Sequence, residues 1–494
     1  MAMKRNNEKG TAMLFAIILV LVLSVMAASM MFLSQSETWA SMNYRLMTQA
    51  RYGAEAGIHA TANFLMNNYA PPAPTAGNPP PMPAGYNITV PVPAKCGDIP
   101  CVTDNGGNPI FLSTLNGVPS TYPDGAQQAA FKAVTGPPNN TLQAGNTTVN
   151  YTASAKLLSM VQITPFATTT PVMVETWNIT AHGDIATVRN AQAEVSAILE
   201  TPIKPAFGYA AFATNNGCAA LNFSGNGTTD SYDSGALAVN GAGVATPPAV
   251  YNNYGGNVGT NGNQTDNGSN VTINGTLSTP DIGIGVCTAG NVTALTGNKS
   301  GIKGGIIQLG APVIMPTPNV PPPGTTNVNS GGTLAPGNYG DISLGGKDVL
   351  TLTPGVYNIN SISESGQSQV AIAPDPITGL YGPVTINVTG NNQSTPIDLS
   401  GQGLSNPTLD PSLMQFIYAG YGTINIVGNG SSAAVVYAPN ATVDFKGNAA
   451  FYGSVIAATL KDVGNGAIHY DQKLKKKLFT VGNTTLNSFT WSRF

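Results

Sequence analysis

The longest uniform pattern in the chain is the uncharged run Thr11 to Leu33. About 20 apolar residues suffice to cross a bilayer core as a helix. A helix is the solution open to a single segment, because every backbone amide must be paired internally. Lys4, Arg5 and Lys9 precede the run. Such charges stay cytoplasmic, so the C-terminal bulk is exported. A cleaved signal peptide is the rival reading, with an apolar core of about 7–15 residues and a small-residue cut site. Ala27-Ala28-Ser29 offers such a site, but the run is too long and the helical pattern continues past it.

From Ser34 to Tyr69, Trp39, Met42, Leu46 and Met47 recur at spacings of three and four, an apolar helix face. Ala50, Gly53, Ala54, Gly57 and Ala60 form a second stripe of small residues. Glycine inside a helix costs about 1 kcal/mol against alanine. Gly53, Ala54 and Gly57 therefore mark close backbone approach, by another helix or by the protein's own sheet. Arg51 and Glu55 form an i,i+4 pair on a solvated face. A helix from Thr11 to Asn68 would be roughly 85 Å long.

Pro71 to Pro93 is proline-rich, which ends the helix and favours an extended linker between domains. Alternation typical of strands follows in residues 94–205. It is seen in Asn146 to Leu158, in Glu175 to Ala181 and in Val188 to Leu199, with His182-Gly183-Asp184 read as the turn of a hairpin. This sheet would pack on the exposed half of the helix. Pro202 and Pro205 mark the next boundary.

Residues 206–480 carry repeats. Leu334-Ala-Pro-Gly-Asn-Tyr339 recurs as Leu352-Thr-Pro-Gly-Val-Tyr357, and Thr385-Ile-Asn-Val-Thr-Gly-Asn391 recurs as Thr423-Ile-Asn-Ile-Val-Gly-Asn429. Gly447-Asn448 and Gly464-Asn465 continue the series at a period near 19. A fixed period predicts a repeat architecture, and Gly-Asn tolerates the left-handed corner it needs. The reading is a right-handed β-helix or solenoid-like domain with hydrogen-bonded ladders of Asn, Thr and Ser; a β-sandwich is the runner-up. Residues 481–494 form a last strand that would cap its end. The fold class is thus a long helix on an antiparallel sheet, plus an all-β domain.

Composition narrows the function. Charged residues are 9% of the 494 and the net charge is −3. No polybasic nucleic-acid footprint appears, and Lys473, Lys475, Lys476 and Lys477 read as a solvated strand end. The four cysteines of an exported chain predict disulfides, Cys96 with Cys101 and Cys218 with Cys287. Zinc is disfavoured because no histidine lies near either pair.

Chemistry is sparse. His59, His182 and His469 are far apart in sequence, and no phosphate loop or nucleophile elbow is present. An enzyme acting on polysaccharide needs carboxylates in a groove, and Asp341, Lys347 and Asp348 are the nearest cluster. Asp266-Asn267-Gly268 lacks the closing glutamate of a calcium loop. No cofactor is called for.

The basic leader ending in Gly10, the uncharged run and the continuous helix resemble a type IV prepilin. Ala50-Arg-Tyr-Gly-Ala-Glu-Ala-Gly57 is similar to the corresponding segment of PilX-type minor pilins and K-type minor pseudopilins. Ser431 to Leu474, with Tyr437-Ala-Pro-Asn-Ala441, Tyr452-Gly453 and Ile468-His-Tyr-Asp471, resembles the C-terminal β-repeat domain of PilX-type proteins. Ser231-Tyr-Asp-Ser234 resembles its opening. The resemblance implies processing by prepilin peptidase between Gly10 and Thr11, methylation of the new N-terminus, and packing with other pilins. It implies inner-membrane residence before assembly and a surface pilus afterwards. Most pilins carry a glutamate at the position of Phe15. K-type minor pilins lack it and sit at filament tips, so a tip position is implied, displaying a domain whose ligand would be a glycan or a host or abiotic surface. The rival functions are a secreted or membrane-anchored β-helix enzyme and an anchored surface protein without a filament.

Overall fold

The computed structural model describes residues 8–75, 83–87, 101–144, 147–168, 170–185, 191–241, 243–268, 270–427, 432–447, 450–464 and 466–493. The chain divides into two units. Unit 1 comprises Met1–Ile163, Val172–Pro202 and Gly482–Phe494; unit 2 comprises Thr164–Pro171 and Ile203–Val481.

Unit 1 is one long helix, a short helix over Gly125–Thr135 and an antiparallel sheet. Helix α1 spans Glu8–Asn67 without a break. The strands are β1 (Phe111–Ser113), β2 (Thr141–Ala144), β3 (Thr147–Ile163), β4 (Val172–Ile185) and β5 (Ala191–Glu200). They lie in the order β1-β3-β4-β5, with β2 paired to β3 and the C-terminal strand Thr485–Arg493 on the free edge of β5. Alternation sets the two faces. Trp177, Ile179, Ala181 and Ile185 of β4 are buried, while Asn178, Thr180, His182 and Asp184 point the other way and stay half-exposed. The core joins Ala54, Ile58, Ala62 and Phe64 of α1 to Ala153, Ala155, Trp177, Ile179 and Val195 of the sheet.

Three sequence expectations change here. His182-Gly183-Asp184 is not a turn, because β4 runs through it to Ile185. Gly183 is small for another reason: a Cβ there would overlap the Ala50 carbonyl oxygen of α1. No unit boundary falls at the proline-rich stretch, because α1 and the strands up to Ile163 belong to one unit, and Thr75 donates its backbone N–H to Gln162 Oε1 at 2.9 Å and accepts from Gln162 Nε2. The C-terminal strand does not cap the repeat region; it returns to unit 1, where Leu486 pairs with Leu199 and Trp491 with Val195.

Unit 2 is β-rich, with parallel sheets. Its strands fall into three ladders that the chain visits in turn. Along the first, Tyr357, Ile386, Phe416, Val436, Val455, Ala211, Val258 and Leu277 are successive register partners. Along the second, the partners are Ile342, Ile362, Ile397, Ile424, Val443, Leu460, Leu221, Gln264 and Leu295. The third includes Leu350, Val370 and Leu404. All of these are buried. Each column is a stack of mainly branched and aromatic side chains that no single rung buries alone. Outward-facing asparagines add a hydrogen-bonded row: Asn358 donates to Asn338 Oδ1 at 2.7 Å and Asn387 to Asn358 Oδ1 at 2.8 Å.

The ladder order departs from chain order. Ala211–Ala213 pairs with Val455–Ala457 on one side and Val258–Thr260 on the other. Residues 203–309 thus extend the stack beyond its C-terminal strands. The chain then returns along the outside to start the other end. On the way Val313 exchanges hydrogen bonds with the Asn261 side chain, Pro316 accepts from Tyr437 Oη, and Gly324 donates to the Tyr339 carbonyl. Between the rungs of Asn261 and Tyr339 lie seven steps of the first ladder, about 34 Å at ~4.8 Å each. Residues 313 to 324 cover this at about 3.1 Å each, the rise of polyproline II. Pro316, Pro318, Pro321, Pro322 and Pro323 fit that conformation.

The repeats read from sequence map unevenly onto the rungs. Leu334 pairs with Leu352, eighteen residues on, but Gly337 pairs with Tyr357, so the motif slips by two. Thr385–Asn391 and Thr423–Asn429 do not stack. The strand Val384–Val388 lies in the first ladder and Thr423–Val427 in the second. Asn429, Asn448 and Asn465 lie outside the described residues.

Candidate membrane and assembly helix

The N-terminal part of α1 presents its side chains to the surroundings. Every residue from Thr11 to Tyr44 is exposed, and mean hydropathy reaches 2.7 in its most apolar window. Leu21 and Leu23 are 61% and 56% exposed. Within the apolar run, Ser24 donates to the Val20 carbonyl and Ser29 to Val25, and beyond it Thr38 donates to Ser34, so both serines of the run can enter hydrocarbon with their hydroxyls paired. Gly10 and Thr11 fall within the helix near its start. Phe15 is 71% exposed, and the first acidic side chain after Gly10 is Glu37. Residues 1–7 lie outside the described residues.

The rest of α1 is held by the sheet. Ala50, Ala54 and Ile58 are buried, as are Gly53 and Gly57. A Cβ on Gly53 would overlap Val149 Cγ1, and one on Gly57 would come within 2.9 Å of Ala181 Cβ. The small stripe is thus where helix and sheet backbones meet inside unit 1. Arg51 pairs with Glu55 at 2.7 Å, with its guanidinium 5.4 Å from the Trp491 ring. At the helix end Tyr69 donates to Glu175 Oε1, and Trp177 Nε1 donates to Glu175 Oε2 at 2.9 Å. Burial pushes the Glu175 carboxyl up to about 7, against the pull of those hydrogen bonds. Sequence reasoning missed Gly183 and this network. A glycine amid strict alternation was the available signal for the first.

The remaining candidates are dispersed. Cys218 and Cys287 form a disulfide. Cys101 is also disulfide-bonded, and Cys96 lies outside the described residues. Asp341 Oδ1 accepts from Asn360 and Ser361, and Asp348 accepts from the Gly345 N–H. Asp341 and Asp348 are therefore engaged in local turns and rungs. Asp266 accepts from Gln264 at 2.8 Å. His182 contacts Glu194, and His469 contacts Asp230 beneath the stacked Tyr251 ring. Asp471 accepts from the Ser234 N–H and hydroxyl, tying the Ser231–Ser234 segment to the Ile468–Asp471 segment. Among the described residues no group of three His, Cys, Asp or Glu side chains suits a metal ion.

Comparison with known proteins adds three findings. The family described as "Domain of unknown function (DUF7305)" matches residues 340–477, the part of unit 2 that precedes the docked 203–309 rungs in stacking order. The search of curated proteins gives no match. Among solved structures, the competence-associated pilin ComZ from Thermus thermophilus is similar at 12% identity with a TM-score of 0.27, over 73% of this chain and 89% of that one. A superposition that loose does not bear on the function of this chain.

Proposed function

We propose that the chain is a minor pilin of the PilX type, a structural subunit of a type IV pilus or related filament. The observation that supports this is the division of labour along α1. One unbroken helix is apolar and wholly exposed over its first half, and buried on its own sheet over its second. A soluble protein does not leave such a rod in water, since exposed apolar area on this scale marks a membrane or protein partner. In the proposed sequence, the rod anchors the subunit in the inner membrane, N-terminus inward. Prepilin peptidase cuts between Gly10 and Thr11, and the rod then exchanges lipid for the helices of other pilins.

Phe15 leaves the rod without an early carboxylate, which favours a tip over a shaft position. Unit 2 is the displayed part, read as a β-helix of three ladders that serves adhesion or assembly. The test is the mass of the N-terminal peptide of the mature protein. A chain beginning at Thr11 is expected; one beginning at Met1 or near Ser29 overturns the processing step. Leu21→Arg places a charge in the rod at a cost of about 3 kcal/mol by insertion scales. It is expected to abolish co-purification with pili.

A further inference from the structure

We infer that the outer face of the unit 1 sheet is a binding site for a short neutral oligosaccharide. It follows from the geometry of unit 1 and does not rest on the pilin reading. The sheet has two faces. One is covered by α1. On the other, side chains from three strands form rows in register: Asn150, Asp184 and Gln192, then Thr152, His182 and Glu194. The polar heads stand about 4.8 Å apart across the strands and about 6.8 Å apart along them.

Two loops wall this face. One carries Leu115 and Asn116, and the other carries Pro137 and Pro138 and leads into Thr141 of β2. Together they enclose a cleft of about 570 Å³, within the range of small-ligand sites, about 300–1,000 Å³.

The lining specifies the ligand chemistry. Among the described residues, Asn116, Asn150 and Thr152 make no side-chain hydrogen bond within the chain, leaving amide and hydroxyl groups that both donate and accept. Hydroxyls of a sugar have the same dual character. No lysine or arginine among the described residues lines the cleft, so phosphate, sulfate and uronate groups lack the cation they need. The floor is too polar for a lipid or an apolar peptide. The exposed rings of Pro137 and Pro138 supply the flat apolar wall against which the C–H face of a sugar ring packs. The cleft lies on the face of the sheet and not along a strand edge, so a peptide cannot enter by adding a strand.

The experiment uses the full chain in a detergent without a sugar headgroup. Saturation-transfer NMR and calorimetry are run with cellotetraose, maltotetraose and chitotetraose, alongside a sulfated tetrasaccharide and an extended tetrapeptide. Binding of at least one neutral tetrasaccharide at micromolar to millimolar Kd is expected. The double variant Asn150→Leu, Thr152→Val is expected to weaken it about tenfold or more, some 1.4 kcal/mol, with melting unchanged because both side chains sit outside the core. Asp184→Asn provides a second, milder probe that keeps the shape of the floor. The proposal is overturned by absence of transfer from all three neutral sugars, by preference for the sulfated sugar or the peptide, or by binding that the double variant leaves intact.

Discussion

Unit 1 and unit 2 bury their backbones in opposite ways. In unit 1 a helix and a sheet approach so closely that three positions, Gly53, Gly57 and Gly183, have no room for a side chain. Its stability is concentrated at a few contacts that tolerate nothing larger. Among the described residues of unit 2 no α-helix packs on the ladders, and each rung repeats the job of its neighbour, Ile342 above Ile362 above Ile397. Stability there is distributed along the stack, and one vulnerable place remains. Residues 203–309 dock through the pairing of Val455 with Ala211 and Leu460 with Leu221, and through side chains such as Ser234 with Asp471, and are tethered by the outer strap. The general lesson is that a ladder shares the load of packing but not the load of closure.

That contrast breaks most sharply at the strap. Deleting Thr317 and Pro318 leaves nine residue steps for about 34 Å, or about 3.8 Å each, beyond the ~3.6 Å reach of a chain. The pairing between Val455–Ala457 and Ala211–Ala213 must then open. Limited proteolysis is expected to cut within 203–309 in this variant and not in the parent. Inserting two glycines at the same place is expected to cost under about 1 kcal/mol, since loop entropy grows slowly with length. Equal damage from deletion and insertion would show that the strap is not taut.

In unit 1 the corresponding break is Gly183→Val. Its side chain would meet the α1 backbone at Ala50, which cannot give way as a flexible side chain can. Overpacking of this kind costs about 1–3 kcal/mol, and more against backbone. Hydrogen exchange is expected to rise across Ala50–Phe64 and β4 while the ladders stay protected. A conservative change on the opposite face, Thr180→Ser, is expected to be silent.

The Cys218–Cys287 bond closes a separation of 69 residues at the 203–309 end of the stack. Chain entropy for such a loop amounts to about 4 kcal/mol. Replacing both cysteines by alanine is expected to lower the melting temperature of unit 2 and leave unit 1 unchanged, read by near-ultraviolet circular dichroism of the variant and its parent.

These contrasts also explain what was legible in the sequence. The helix was, because apolar positions recur at its own period and nothing interrupts them before Pro71. The alternation of β4 was, but its length was not. Gly183 looks like a turn until α1 is known to pass over it, and contact with a distant element leaves no local mark. The parallel rungs were foreshadowed by Leu334 and Leu352, which truly pair. Thr385–Asn391 and Thr423–Asn429 misled because two different ladders use the same strand chemistry. The docking of residues 203–309 has no signature of period at all. Its trace is chemical: Tyr470 pairs in register with Ser231, and Asp471 with Tyr232. The outer sheet face of unit 1 escaped notice because its residues come from three strands and two loops.

The units are also compared through pH. Each buries carboxyls whose pKa burial raises. In unit 1 Glu175 is raised to about 7. In unit 2, Glu364 is raised to about 8, and Asp462, Asp266 and Asp471 to about 6. Glu364, Asp462 and Asp266 share one inward column with Leu399, Ile426, Phe445 and Phe223. Both oxygens of Asp462 lack a hydrogen-bond partner. A raised carboxyl means that the unfolded chain ionises first. Between pH ~4 and the folded pKa the folded state holds more protons, so stability falls as pH rises and levels off above that pKa. Asp410 runs the other way: Ser412, Lys473 and Lys477 outweigh its burial and hold it low, but its contribution changes only at more acid pH. Unit 2, with more such groups, is expected to lose more stability than unit 1 between pH 4.5 and 8. Asp462→Asn is expected to remove about 2 kcal/mol of that loss, at ~1.4 kcal/mol per pKa unit, and Glu175→Gln to flatten only unit 1. Denaturant melts at pH 4.5 and 8 decide it, and a pH slope that Asp462→Asn leaves unchanged would show that Asp462 does not hold its proton in the folded ladder.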